Sequence, residues 1–282
     1  MKLISLFFLT SSALLCQTIE AIPWGAGPVF PSEASQKSAP RQTSFRADDF
    51  VFPHLATGGG WETVIVTVNL SRVTLNYNTY YFDQAGNPMP VTIKASNGLL
   101  ITTSATTSTL PPTASLSVPL LDDGSATKVG WAAITYDATL GRVGGYATFR
   151  QRVEGRPDFE ALVPLSSFSD YRFLLPVDER DGFQTAIAIC NPGTTLISTV
   201  TLQMFDPNGH VTATNQTITL QPLQQQAFLI SEKFPSMVGK RGTLYVSGDS
   251  SALSALGLSF NTLGGSAFSS IPIMNTPAMF PQ

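Results

Sequence analysis

Two stretches of the sequence carry the same phrase: GGGWETVIVTVNLS at residues 58–71 and RDGFQTAIAICNPG at residues 180–193. Each places glycine and a large aromatic residue ahead of a run of small and β-branched residues. Each run ends in an asparagine, Asn69 in the first copy and Asn191 in the second. Such runs between turn residues are typical of β-strands. Their recurrence indicates that one structural unit occurs twice in the chain.

Further matches follow in the same order when Trp61 is aligned with Phe183. YYFDQAGN aligns with QMFDPNGH, GWAAITY with GTLYVSG, GGYATFR with ALGLSFN, and ALVPL with SSIPI. Units of about 110 residues have the size of a β-sandwich domain. The sequence therefore predicts an all-β protein made of two tandem antiparallel immunoglobulin-like β-sandwich domains, at residues 50–166 and 167–282, the second with a short C-terminal tail. A single larger sandwich or barrel built from both halves is the alternative.

The N-terminus has the pattern of a secretory signal peptide at residues 1–21. Lys2 supplies a positive charge, an apolar run follows it, and Ala21 is a small residue at the expected cleavage site. Residues 22–49 are rich in proline and serine and predict a flexible leader. Lipid anchoring through Cys16 is disfavoured because Leu15 stands where glycine or alanine is usual. We therefore expect secretion to the periplasm or beyond, with no membrane span in the mature chain.

Composition argues against a nucleic-acid partner and against a disulfide framework. Only 12% of the residues are charged and the net charge is −3, so there is no basic surface for a phosphate backbone. Without the signal peptide Cys190 is the one remaining cysteine. It aligns with Val68, and this correspondence predicts a buried structural residue rather than a nucleophile.

The sequence offers no recognisable catalytic or metal motif. Its two histidines, His54 and His210, fall at non-equivalent positions of the two copies. Asp83 and Asp206 recur, but each stands ahead of a glycine, in the pattern of a turn in which the carboxylate accepts a backbone N–H. We therefore predict no metal, no cofactor and no enzymatic activity. The alternative is a hydrolase of unrecognised type that uses carboxylates in a cleft between the units, drawn from Asp122, Asp158 and Glu160.

Several strand and turn phrases resemble those of a class of exported bacterial proteins without an assigned function. The phrases are FPHLATGGGWETVIVTVNLS, FDQAGNPM, FPSMVGKRGTLYVSG and SALGLSFN. Members of that class carry one or two β-sandwich units of this kind. The resemblance implies the fold and export, and it implies no activity and no catalytic residue.

The expected function is that of a non-catalytic structural, adhesive or ligand-binding module of the cell envelope or extracellular space, with a glycan or an extracellular protein as partner. Trp131 is the candidate ligand-binding residue. Strand alternation places Ala132 and Ile134 on the core side, so Trp131 should point outward. An exposed indole would offer a flat face to a sugar ring or anchor a protein partner. Burial of the indole under a neighbouring segment is the competing interpretation.

Overall fold

A computed structural model describes residues 45, 49–95, 98–152, 154–155, 158–167, 171–249, 253–261 and 268–276. The protein is all-β, with 61% strand and 3% helix, as the sequence predicted. The expected signal peptide and nearly all of the expected leader lie outside the described residues. We call residues 45–167 the first half and residues 171–276 the second half.

The described residues form twenty strands and two short helical segments. The strands are β1 (Phe50–Thr57), β2 (Trp61–Asn69), β3 (Leu75–Asp83), β4 (Val91–Lys94), β5 (Leu100–Thr103), β6 (Ala105–Leu110), β7 (Ser115–Leu120), β8 (Lys128–Tyr136), β9 (Val143–Gln151), β10 (Phe159–Pro164), β11 (Ser166–Ser167), β12 (Arg172–Asp178), β13 (Phe183–Cys190), β14 (Ser198–Phe205), β15 (Gln216–Leu220), β16 (Gln225–Leu229), β17 (Arg241–Gly248), β18 (Ser254–Asn261), β19 (Phe268–Ile271) and β20 (Met274–Asn275). Helix α1 (Ile230–Lys233) and a 3-10 helix (Pro235–Met237) separate β16 from β17.

The strands form four antiparallel sheets. Sheet 1 has the order β11-β1-β8-β3-β6 and sheet 2 the order β10-β9-β2-β7-β4-β5. In the second half, sheet 3 has the order β15-β14-β17-β12-β20 and sheet 4 the order β16-β13-β18-β19. Most neighbours within a sheet are therefore distant in sequence.

The prediction of two tandem immunoglobulin-like sandwiches is wrong, because the four small sheets are arranged as a four-bladed β-propeller. The sequence pattern predicted strands but not how their sheets are arranged. β1 and β2 are consecutive in the chain but lie in different sheets, and so do β12 and β13. Alternation along a strand determines which residues share a face, but it does not determine which strand lies alongside.

The repeated phrases nevertheless occupy equivalent positions. The side-chain amides of Asn69 and Asn191 are both buried at the end of a strand. Each Nδ2 donates to three backbone carbonyl oxygens, those of Val73, Leu110 and Pro111 in the first half and those of Leu196, Leu220 and Gln221 in the second. The two asparagines thus close the same loop in both halves.

The apolar side chains form two large cores and one smaller cluster. The first core draws mainly on sheets 1 and 2 and includes the buried Tyr77 and Tyr81, and the second draws on sheets 3 and 4. The smaller cluster joins sheet 1 to sheet 4 and consists of Val51, Phe82, Trp131, Ala133 and Cys190, with Phe45, Tyr80 and Leu223 packed against it. Sheet 1 therefore packs against apolar side chains on both faces, and the two halves share an apolar cluster.

Candidate binding groove

Trp131 lies in the interface between the halves and not on an exposed surface. It points away from Ala132 and Ile134, as alternation predicts, but its exposed fraction is 0%. Its indole stacks on Phe82 at a centroid distance of 4.7 Å, and Nε1 donates to the carbonyl oxygen of Leu223 at 2.8 Å. The prediction of an outward, accessible indole is therefore wrong, because the second half covers that face of sheet 1.

Cys190 packs in the same cluster from the side of sheet 4. Its exposed fraction is 0%, which confirms the prediction of a buried cysteine. Burial raises the pKa of the thiol, so the thiolate needed for nucleophilic attack is disfavoured.

Polar contacts of Gln225 complete this interface. Its side-chain Nε2 donates to the carbonyl oxygens of Pro53 at 2.6 Å and Gly130 at 3.0 Å. The same atom lies 3.4 Å from Nδ1 of His54, and the backbone N–H of Gln225 donates to the carbonyl oxygen of Gln84 at 3.1 Å. Burial lowers the pKa of His54 to about 4, so the ring is neutral and Nδ1 can accept. These bonds hold the first residue of β16 against the first half.

A groove of about 510 Å³ opens beside these contacts. Gln84 and Ala85 line it from the turn after β3, Glu232 and Lys233 line it from α1, and the rest of its wall is the continuous stretch Gln224, Gln225, Gln226, Ala227 and Phe228. Both halves of the chain therefore contribute to it, and four of its side chains are glutamine amides.

The glutamine side chains retain unused hydrogen-bonding groups. Within the described residues the amide of Gln84 has no hydrogen-bond partner, and Gln226 uses its Nε2 to donate to the carbonyl oxygen of Thr219 at 3.0 Å. Oε1 of Gln225 is buried and has no partner among those residues. Because Gln225 is almost fully buried, this oxygen is not exposed to the groove, and the amides that a ligand could reach belong to the more exposed glutamines.

Charges in the groove are balanced and partly engaged. One carboxylate oxygen of Glu232 accepts the backbone N–H of Leu229 at 3.2 Å. The ammonium of Lys233 lies 5.4 Å from the centre of the Phe228 ring. With one charge of each sign and several neutral amides, the groove favours an uncharged polar ligand.

A second groove of about 400 Å³ lies in the second half and includes Asp178 and Arg241. The carboxylate of Asp178 pairs with Nε of Arg241 at 2.7 Å and with Nε of Arg180 at 3.1 Å. These ion pairs occupy the groove's carboxylate, so it offers fewer unused polar groups than the amide-lined groove.

The carboxylates considered for a hydrolase lie in neither groove. Asp122 accepts the backbone N–H groups of Gly60 at 2.8 Å and Gly124 at 3.0 Å, which is a loop-closing role. Asp158 pairs with Arg150 at 3.8 Å, and Glu160 is exposed on β10.

The recurring aspartates close turns, as the sequence predicted. Asp83 accepts the backbone N–H of Asn87 at 2.8 Å, and Asp206 accepts that of His210 at 2.9 Å. Gly86 follows in the first turn with a φ of 87°. Among the described residues no group of three or more histidine, cysteine or acidic side chains is placed to hold a metal ion.

Sequence reasoning missed the amide-lined groove. The available signal was the run of three glutamines at residues 224–226, followed by Ala227 and the aromatic Phe228. Nothing local connects this run to Gln84, which is brought to it by the packing of the halves.

The chain matches no protein-family model, and no curated protein is significantly similar to it. In the part of the chain that the structure describes, no helix is long and apolar enough to cross a membrane.

Proposed function

We propose that this is an exported, non-catalytic binding module whose ligand is uncharged and polar, a glycan or a segment of an extracellular protein. The observation that carries the proposal is the groove shared by both halves, whose wall includes four glutamine residues and only one charge of each sign. Gln84 and Gln226 add further amide groups to the same wall. Neutral donors and acceptors in a concave site give orientation and specificity without requiring a charged ligand.

Export is proposed from the N-terminal pattern of a positive charge, an apolar run and a small residue before the expected cleavage site. N-terminal sequencing of protein recovered outside the cytoplasm should find a start just after Ala21. An intact Met1 on that material would contradict this part of the proposal.

The binding role can be tested with the mature chain on an array of glycans and matrix proteins. Replacing both Gln84 and Gln226 by alanine should weaken any specific binding about tenfold or more, because each lost hydrogen bond costs on the order of 1 kcal/mol. Gln203→Ala is the matched control, since Gln203 is a half-buried glutamine on β14 outside both grooves. Equal binding by all variants would remove the groove from the proposal, and chemical conversion of the bound ligand would contradict a non-catalytic role.

A further inference from the structure

The outer edge of β16 has a definite hydrogen-bonding direction. β16 pairs with β13 on one side only, with Ala188 opposite Ala227. The backbone N–H of Gln225 donates away from β13 to Gln84, and the backbone N–H of Leu229 donates away from it to Glu232. In an antiparallel pair this direction alternates with a period of two residues. The N–H and C=O of Ala227 therefore also point away from β13, into the groove.

Ala227 is the one position between these two that is left open. It is exposed, and its N–H donates to no group among the described residues. Gln225 and Leu229, two residues away on either side, both have partners for their N–H groups. The groove thus presents a single backbone donor and acceptor pair in the middle of a short strand edge.

The corresponding edge in the first half is covered at one end. β7 occupies the place of β16, and its Ser117 pairs with Val66 just as Ala227 pairs with Ala188. Sheet 2 continues beyond β7 with β4, which pairs with β7 through Ile93 and Leu120, and Pro119 has no N–H to offer. Among the described residues no strand continues sheet 4 beyond β16. Natural sheet edges are usually covered or blocked. An open edge position inside a groove is therefore a candidate site for pairing with another chain.

We infer that the edge of β16 binds an extended peptide segment by strand addition, an inference that rests on the proposed binding function and specifies its ligand. One peptide residue would accept from the N–H of Ala227 and donate to its C=O, which is the complement that a polypeptide backbone supplies. Because Gln84 and Glu232 already hold the N–H groups of Gln225 and Leu229, the added segment pairs with β16 at Ala227 alone. The amides of Gln84 and Gln226 line the same groove and can bond the backbone or side chains of that segment.

The test uses random heptapeptides displayed on phage and selected against the mature chain. The enriched sequence is then synthesised as a free peptide and as a series with one backbone nitrogen methylated at a time. Methylation should reduce affinity about tenfold or more at one or two alternate positions and little elsewhere, because alternate N–H groups face the added edge. Uniform tolerance of methylation would overturn strand addition.

Ala227→Pro removes the N–H donor on the protein side and should reduce peptide affinity about tenfold or more. Ser117→Pro is the matched control at the equivalent edge position of β7, and circular dichroism checks the fold of both. Equal affinities for the two variants would overturn the assignment. If Ala227→Pro does not fold, the methylated peptides still decide it.

Other outcomes separate this inference from the function on which it rests. If no heptapeptide is enriched but a glycan binds and requires Gln84 and Gln226, the peptide assignment fails and the binding function stands. If neither class binds, both fail. A concentration-dependent dimer that Ala227→Pro abolishes would make a second copy of the chain the occupant and overturn the peptide assignment.

Discussion

Lowering the pH from 7.5 to 4.5 should destabilise the fold by about 2.5 kcal/mol through His54 alone. The ring is 8% exposed and lies edge-on to Phe149 at a centroid distance of 5.3 Å. Its Nδ1 faces the Nε2 donor of Gln225 at 3.4 Å. A second ring proton would therefore place a positive charge in a buried site. It would also make Nδ1 of His54 a donor that faces the Nε2 donor of Gln225.

The magnitude follows from the difference between the two pKa values. Burial lowers the pKa of His54 from 6.5 to about 4. Between these values the unfolded chain binds more protons than the folded one, so the free energy of unfolding falls as the pH falls. The slope approaches about 1.4 kcal/mol per pH unit. The stability that neutral His54 contributes is fully present above pH 6.5. It is completely lost below pH 4, and the total loss in the free energy of unfolding is roughly 3 kcal/mol.

Urea unfolding followed by tryptophan fluorescence at both pH values measures the effect. His54→Gln should remove about 2.5 kcal/mol of the pH dependence and leave the part that belongs to carboxylates. His210→Gln is the control, because the side chain of His210 is 79% exposed and should leave the pH dependence nearly unchanged. An NMR titration of the His54 ring gives the folded pKa directly. A value near 6.5, or equal pH dependence in wild type and His54→Gln, would refute the reasoning.

Three further predictions concern buried groups. Cys190 should resist thiol reagents in the native protein and react once denaturant unfolds it, and rapid native labelling would contradict its burial. Asn69→Ala and Asn191→Ala should each lower the free energy of unfolding by about 2–3 kcal/mol, because each leaves buried carbonyl groups without a donor. A much smaller loss in either variant would contradict the equivalence of the two loops. Trp131→Ala should lower the free energy of unfolding by about 3–5 kcal/mol, as Trp61→Ala should, because both indoles are buried. A denaturation midpoint of Trp131→Ala close to that of the wild type would contradict this burial.

The candidate site illustrates how far the sequence could lead. Cys190 was correctly predicted to be buried, but not for the predicted reason: its counterpart Val68 is only half-buried, and Cys190 is buried because the first half packs against it. Trp131 was given the correct face but the wrong surroundings, since alternation says nothing about what covers a face. The groove was missed because Gln84 and Gln225 are far apart in sequence and meet only through the hydrogen bond from one backbone to the other.

The sequence by itself determined the strands, the equivalent asparagine loops and the aspartate turns in both halves. These depend on interactions within a few residues or on strict alternation, which a short pattern can record. Only the tertiary structure decided that consecutive strands enter different sheets, that four small sheets are arranged as propeller blades, and that no described strand continues sheet 4 beyond β16. These features depend on which apolar faces bury each other across the whole chain. Because the hydrophobic effect is not directional, the local pattern leaves that choice open.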